Sequence, residues 1–290
     1  MFTRTPESLR RSLERVRRRG APIGVDELAC ELLALGAPID RFLARRIVAT
    51  ALGRAETSLP ERLEARQVRP AEEAAVTELR LLHAEFVVVD LETTGLSPSR
   101  SSILEIGAVR VSRLLPGGRF QTLIRPPQPL SRAIADLTGI DDGMMADAPA
   151  AGPAVGAFRR WFERIDPALF VAHNARFDAG FVERALDDLG LPPLRVSVLC
   201  TQRLARRVLP ELGRYNLDHV CAHFGIRNPA RHRALGDARA TAALLVELLH
   251  LARARSGIET VGSLLDFQGR PIRRARRGRR RGGGRPPRLR

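Results

Sequence analysis

Asp90 and Glu92 stand one residue apart at the end of the segment FVVVDLETTGL, which begins at Phe86. The β-branched apolar run ahead of them reads as a buried strand, and residues i and i+2 of a strand share a face, so the two carboxylates project together. Two like charges about 4 Å apart repel by roughly 4 kcal/mol at a protein-like effective dielectric, so one carboxyl must take a proton or a cation must intervene. Hard oxygen ligands of this kind suit Mg²⁺ or Mn²⁺. Three further residues of fitting type follow: Asp178 in VAHNARFDAGF, and His232 and Asp237 in HRALGDARATAALL. Each has an ordinary reading as well. Both aspartates lie where apolar helical stripes begin, a common place for a capping aspartate, and a loop histidine is usually just solvated. Five helical steps rotate about 140°, so His232 must come from the loop ahead of the helix that carries Asp237.

The chemistry open to such a set is hydrolysis of a phosphodiester. That reaction needs activated water and neutralisation of charge on the phosphorane and the leaving 3′ oxygen, and two divalent ions about 4 Å apart supply both. Charge points to the same class of substrate. The formal net charge is +16 with pI near 11.5, and every one of the basic residues is arginine, whose planar fork grips phosphate through two hydrogen bonds. A polyanionic partner follows. Much of the excess lies in GRPIRRARRGRRRGGGRPPRLR, from Gly269 onward, which contains no acid.

These residues need elements to hold them. With 290 residues and 44% hydrophobic content, the chain has room for one α/β core and a smaller appendage. We expect a helical amino-terminal module and connector over residues 1–83, a catalytic domain over 84–255, and a linker with a disordered Arg/Gly/Pro-rich tail over 256–290. No apolar run approaches the roughly 18 residues of a membrane span, and the first residues lack the apolar segment of a secretory signal. A cytoplasmic, membrane-free protein is the expectation. Glu7 and Glu14, with Leu9, Leu13 and Val16 at helical spacing, favour an amphipathic helix over an organelle transit peptide. Cys30, Cys200 and Cys221 form no close pair and are read as reduced thiols.

Within the first module, Asp26 to Leu35 and Asp40 to Leu52 read as helices with aspartate caps, stopped by Gly36 and Gly53 and joined by a short link. They fit either a DNA-reading helix-turn-helix or a plain packing module. A helix opened by Pro70 and running to about His83 would be the connector. From Phe86 the pattern predicts a three-strand antiparallel meander, with strands at Ile103 to Val111 and Phe120 to Ile124 and a turn at Pro116-Gly117-Gly118. Next come a helix marked by Val155, Phe158, Phe162 and Ile165, and a strand at Ala168 to Ala172. A second stripe through Phe181, Val182, Ala185, Leu186 and Leu189 follows, then a long helix through Thr241, Leu244, Leu245, Leu248 and Leu251. The fold class is α/β, a mixed sheet flanked by helices.

The segments VVVDLETTGL, VAHNARFD and HRALGDA resemble the three exonuclease motifs of the DEDDh family of 3′–5′ exonucleases, which includes the epsilon proofreading subunit of bacterial DNA polymerase III. The likeness covers roughly Phe86 to Leu251. It implies a ribonuclease H-like fold and removal of nucleotides from a 3′ end. It further implies that Asp90, Glu92, Asp178 and Asp237 bind two divalent ions, Mg²⁺ or Mn²⁺, with His232 as general base. Thr93, Thr94 and Gly95 match the segment that touches the terminal nucleotide, and Asn174 lies in the motif beside Asp178. Cys200 stands where many relatives carry aspartate, outside the metal-binding set. No sliding-clamp motif is evident near the end of the catalytic domain.

The leading expectation is a metal-dependent exonuclease acting on single-stranded DNA 3′ ends in proofreading, repair or processing, with a DNA polymerase as a possible partner. An RNA exonuclease of the oligoribonuclease or ribonuclease T type is the alternative, since the motifs do not report the sugar. A non-catalytic nucleic-acid-binding protein is the third reading, against which the full set of acids and His232 argues.

Overall fold

The computed structural model describes residues 6–33, 41–52, 59–63, 78–165 and 168–269. Its centre is a five-stranded mixed sheet. Strand β3 (Glu85–Thr93) pairs antiparallel with β4 (Ile103–Ser112), and β4 pairs antiparallel with β5 (Leu115–Leu123). On its other side β3 runs parallel to β6 (Ala168–Ala172), which runs parallel to β7 (Val198–Cys200). The order is β5-β4-β3-β6-β7, the mixed sheet expected from the sequence.

Phe86, Val87, Val88 and Val89 are all fully buried because both faces of the sheet are covered. Phe86 and Val88 face one core, Val87 and Val89 the other. The first core is closed by helix α8 (Thr201–Val208), helix α9 (Leu217–His223) and the long helix α10 (Ala234–Ser256). The second is closed by α6 (Ala151–Glu163) and α7 (Arg176–Asp188), where Phe158, Phe162, Phe170 and Phe181 pack together. Thr241, Leu244, Leu245 and Leu248 are buried along α10, as the spacing predicts. On α7 the buried stripe ends at Leu186, and Leu189 is the exposed C-cap. Two short helices, α4 (Arg132–Thr138) and α5 (Asp142–Ala146), bridge β5 to α6.

The meander departs from expectation at its second turn. The chain reverses at Arg113 and Leu114, both with positive φ (52° and 60°), and Pro116-Gly117-Gly118 lies inside β5. Type I′ two-residue hairpin turns, which match strand twist, need positive φ at both positions. Leu114, partly buried, packs against the core on the α10 side, and a register irregularity between Val109 and Val111 falls opposite the glycines. The packing of Leu114 and the bulge thus place the turn, against local turn chemistry.

The amino-terminal residues form a body with its own core. Helices α1 (Pro6–Arg19), α2 (Val25–Leu33) and α3 (Arg41–Leu52) bury Leu13, Val16, Leu28, Leu32, Val48 and Leu52. A two-residue strand β1 (Ile23–Gly24) pairs antiparallel with β2 (Arg62–Leu63), a ribbon with no counterpart in the sequence reading. Helix α2 starts at Val25, so Asp26 sits in its first turn instead of capping it. The link 36–39, the caps and stops at Asp40, Gly36 and Gly53, the start of the connector at Pro70 and the tail 270–290 lie outside the described residues.

The folded catalytic unit extends beyond the expected limit at residue 255. Arg80 bridges Thr260, Leu81 N–H donates to the Glu259 carbonyl (2.8 Å) and Val261 N–H to the Leu79 carbonyl (2.9 Å). Helix α11 (Val261–Gly269) then buries Val261 and Leu264 in the first core, where a linker was expected. Its Gln268 side chain covers the open edge of β7: the Cys200 N–H donates to Gln268 Oε1 (2.9 Å) and Gln268 Nε2 to the Val198 carbonyl (2.7 Å). An exposed strand edge is a template for unwanted pairing, and this side chain supplies the missing partner. Cys200 and Cys221 are buried free thiols and Cys30 is half-buried. No helix among the described residues is long and apolar enough to cross a membrane.

Candidate active site

Glu92 and Asp90 leave β3 on the same side as Phe86 and Val88, the side covered by α10. The register sets what faces them: Asp90 lies opposite Gly107 and Glu92 opposite Glu105 on β4. Gly107 leaves a gap into which the start of α10 settles, so closely that a Cβ there would overlap Ala234 C and Leu235 N. The glycine thus lets the amino end of α10 reach the carboxylate end of β3.

Asp237 is in the first turn of α10 and His232 is in the loop ahead of it, the division the spacing predicts. Asp237 Oδ2 accepts the backbone N–H of His232 (3.0 Å), and Oδ1 accepts Asn228 Nδ2. His232 adopts φ +55°, a left-handed conformation costly for a residue with a side chain. Ligand atoms of Glu92, His232 and Asp237 all lie within 4.8 Å of one another.

Asp178 arrives from the opposite layer. It occupies the first turn of α7, after the N-cap Ala175, and is 4% exposed. It therefore does not cap that helix in the usual way. Backbone N–H groups of Asp178 itself and of Leu91 on β3 reach its carboxylate, which draws it to the end of β3.

The electrostatics report the same convergence. Burial pushes the Asp90 carboxyl well above its ordinary range, and the charges of Asp178, Asp237, Glu92 and Glu105 push it further. Burial also raises Glu92, to about 7, helped by Asp237 and Glu105 and opposed by Arg233. Asp178 rises to about 8, again mainly through burial, against the pull of its two N–H donors. Asp237 rises through burial, checked by the His232 N–H and Asn228. Four neighbouring carboxyls that resist ionisation together form a donor set suited to divalent cations, since bound positive charge offsets both the desolvation and the mutual repulsion.

The flanking motif residues are placed at the same sheet edge with their polar groups turned to the loop. Thr93 Oγ1 donates to the Gly95 carbonyl (2.7 Å), while Thr94 Oγ1 accepts Ser102 N–H (2.9 Å). A side chain at Gly95 would press on Ser101. Asn174 is exposed in the turn between β6 and α7, at φ +75°. The preceding His173 anchors that turn: its Nε2–H donates to the Tyr215 carbonyl (2.8 Å), and Nδ1 lies 2.9 Å from Thr201 Oγ1. Burial lowers the pKa of this imidazole, against the Tyr215 carbonyl, which raises it.

Sequence reasoning missed Asn228, Glu105, Gln121 and Arg233. Glu105 left a visible signal, a lone glutamate inside the apolar run ILEIGAV. It is fully buried and accepts hydrogen bonds from Gln121, Arg233 and the Ala234 N–H. Asn228 lies in a polar loop and left none.

Comparison with known proteins places this geometry. The RNase_T exonuclease family matches residues 87–245. A PolC-type DNA polymerase III of Caldanaerobacter subterraneus subsp. tengcongensis is 38% identical over 183 residues, 63% of this chain but 13% of that polymerase, so the chain corresponds to a small part of the curated relatives it matches. Among solved structures, the nuclease domain of 3′hExo, a DEDDh family member bound to rAMP, aligns with a TM-score of 0.53 at 18% identity, covering 59% of this chain and 94% of that one. Escherichia coli exonuclease I in complex with a dA16 oligonucleotide also gives 0.53 at 18% identity, covering 64% and 43%. At such identities these two likenesses speak for the ribonuclease H-like fold. With the family match spanning more than half of its length, the chain belongs to the RNase_T exonuclease family.

Proposed function

We propose that this chain is a metal-dependent 3′–5′ exonuclease that releases nucleotides from the 3′ end of single-stranded DNA. One observation carries the reading: carboxylates from β3, α7 and α10 and an imidazole from the loop before α10 meet at one edge of the sheet. Asp90, Glu92, Asp178 and Asp237 would hold two divalent ions. When bound, Mg²⁺ or Mn²⁺ supplies charge neutralisation at the scissile phosphate and activation of water.

The remaining work falls to the chain's own groups. His232 takes the proton of the attacking water, and Asp237 holds its backbone in place. The Thr93–Gly95 loop, stiffened by its internal hydrogen bonds, presents its backbone to the terminal nucleotide, with Asn174 on the facing turn. The arginine-rich residues after Gly269 capture the strand by releasing counterions from its phosphates. Similarity to PolC-type polymerases favours DNA over RNA and a polymerase as partner.

The deciding experiment incubates end-labelled DNA and RNA oligomers, with free or blocked 3′ ends, in Mg²⁺, Mn²⁺ or chelator. Stepwise shortening of DNA from a free 3′ end, abolished by chelator, is expected. Preference for RNA would transfer the reading to RNA processing, and absence of cleavage in either metal would refute it.

A further inference from the structure

Glu105 is fully buried on β4, directly opposite Glu92, where its negative charge adds to a cluster already crowded with acids. An apolar residue or a glutamine would spare the site that repulsion. The carboxylate has no valence left for a cation. Oε1 accepts Gln121 Nε2 (2.6 Å) and Arg233 Nη2 (3.1 Å), and Oε2 accepts Arg233 Nε (3.1 Å) and the Ala234 backbone N–H (3.0 Å). Four donors fill the four lone-pair sites of an ionised carboxylate.

Its targets are the two residues that follow His232. Arg233 is the N-cap of α10 and contributes no side-chain capping bond of its own. The first N–H of that helix is instead satisfied from β4, 129 residues earlier in the chain. The segment around His232 is therefore clamped on both sides: Asp237 takes its N–H and Asn228, and Glu105 takes the guanidinium and amide that come next. Between these clamps His232 sits at φ +55°, a conformation that a free loop would relax. Only a carboxylate accepts a guanidinium fork and a helix N–H together.

We propose that Glu105 is a positioning residue: through Arg233 and Ala234 it fixes where the His232 imidazole stands beside the Glu92 and Asp237 carboxylates. This rests on the exonuclease reading, in which His232 takes the proton of the attacking water. Reactions of this kind are sensitive to misplacement of the reacting groups on the ångström scale.

The test uses the full chain and its Glu105→Gln variant, alone and combined with His232→Ala. On a saturating 3′-labelled oligonucleotide, Glu105→Gln is expected to lower kcat about 10-fold, with KM and Mn²⁺ affinity changed less than about twofold. In the His232→Ala background it should have no further effect, because the two act as a unit. With ¹⁵N-histidine labelling of the metal-free chain, the His232 ring signals, identified by their loss in His232→Ala, should broaden or shift in Glu105→Gln. An undiminished kcat, unmoved ring signals, or an equal loss in the His232→Ala background would overturn the assignment. Should Glu105→Gln fail to fold, Arg233→Gln removes only the fork from a partly exposed side chain, and about a 3-fold loss of kcat with the same non-additivity is expected; an unaffected kcat there overturns the proposal too. Absence of metal-dependent cleavage in the unaltered chain strikes the nuclease reading and this proposal with it, whereas full turnover by His232→Ala strikes the role of His232 as base and therefore this proposal alone. An active chain, a crippled His232→Ala and an unaffected Glu105→Gln strike Glu105 alone.

Discussion

The carboxylate of Asp237 accepts the backbone N–H of His232 at 3.0 Å, joining a proposed metal ligand and the proposed base in one structural unit. The two residues are five apart, too far round a helix to share a face, and the left-handed turn at His232 brings them together. A change at Asp237 should therefore disturb both roles, and removal of the imidazole only one.

His232→Ala is expected to cut turnover by about 10²-fold or more while divalent-ion and oligonucleotide binding stay near normal. Asp237→Asn should lower both turnover and metal affinity, because it weakens a cation ligand and the anchor of the loop at once. Isothermal titration with Mn²⁺ beside single-turnover cleavage distinguishes the two. Equal metal affinities in both variants would count against Asp237 as a ligand.

Acidity and metal should each stabilise the folded chain, the first at low pH and the second at high pH. Glu92 is raised to about 7 and Asp178 to about 8, from ordinary values of 4.5 and 3.8. The folded, metal-free chain thus keeps protons that the unfolded chain gives up, and this contribution is whole below about pH 4 and fades as pH rises to about 8. Melting temperature in chelator should fall from pH 6 to pH 8, and Mn²⁺ should restore it most at pH 8. Asp178→Asn should flatten the slope. A variant slope as steep as that of the unaltered chain would exclude Asp178 as its source.

Gly107→Ala tests the seating of α10 on β4. The added methyl overlaps main-chain atoms of Ala234 and Leu235, which have no flexible end to move aside. A loss of about 3 kcal/mol in urea unfolding is expected, with activity falling further than stability because the displaced helix start carries His232 and Asp237. A variant with unchanged stability would mean that the helix start can shift off β4 at little cost.

Removal of residues after Gly269 takes away eleven arginines and no acid. Oligonucleotide affinity should weaken, and the slope of log affinity against log salt should flatten by about 0.7 for each single-strand phosphate that is no longer neutralised. The rate at saturating substrate should hold. Fluorescence anisotropy across a salt series gives the answer, and an unchanged slope would reject phosphate capture by this segment.

Sequence alone determined the parts governed by short-range periodicity. The two-residue spacing of Asp90 and Glu92 at the end of an apolar run already placed both on one face, and rotation about a helix already put His232 in the loop before Asp237. The order of the main strands and helices followed from their apolar stripes. What only the tertiary structure decided lies where distant segments touch. The hairpin turn moved to Arg113 and Leu114 because packing of Leu114 on the core outweighed the glycines three residues on. Helix α11 was hidden because its nine residues run into an arginine-rich stretch, and its worth lies in Gln268 completing an edge strand roughly seventy residues earlier. Glu105 meets Arg233 across 128 residues of chain. Local pattern sets which face a side chain takes, whereas the partner that satisfies a buried charge is set by packing of the whole chain, and no short window of sequence contains it.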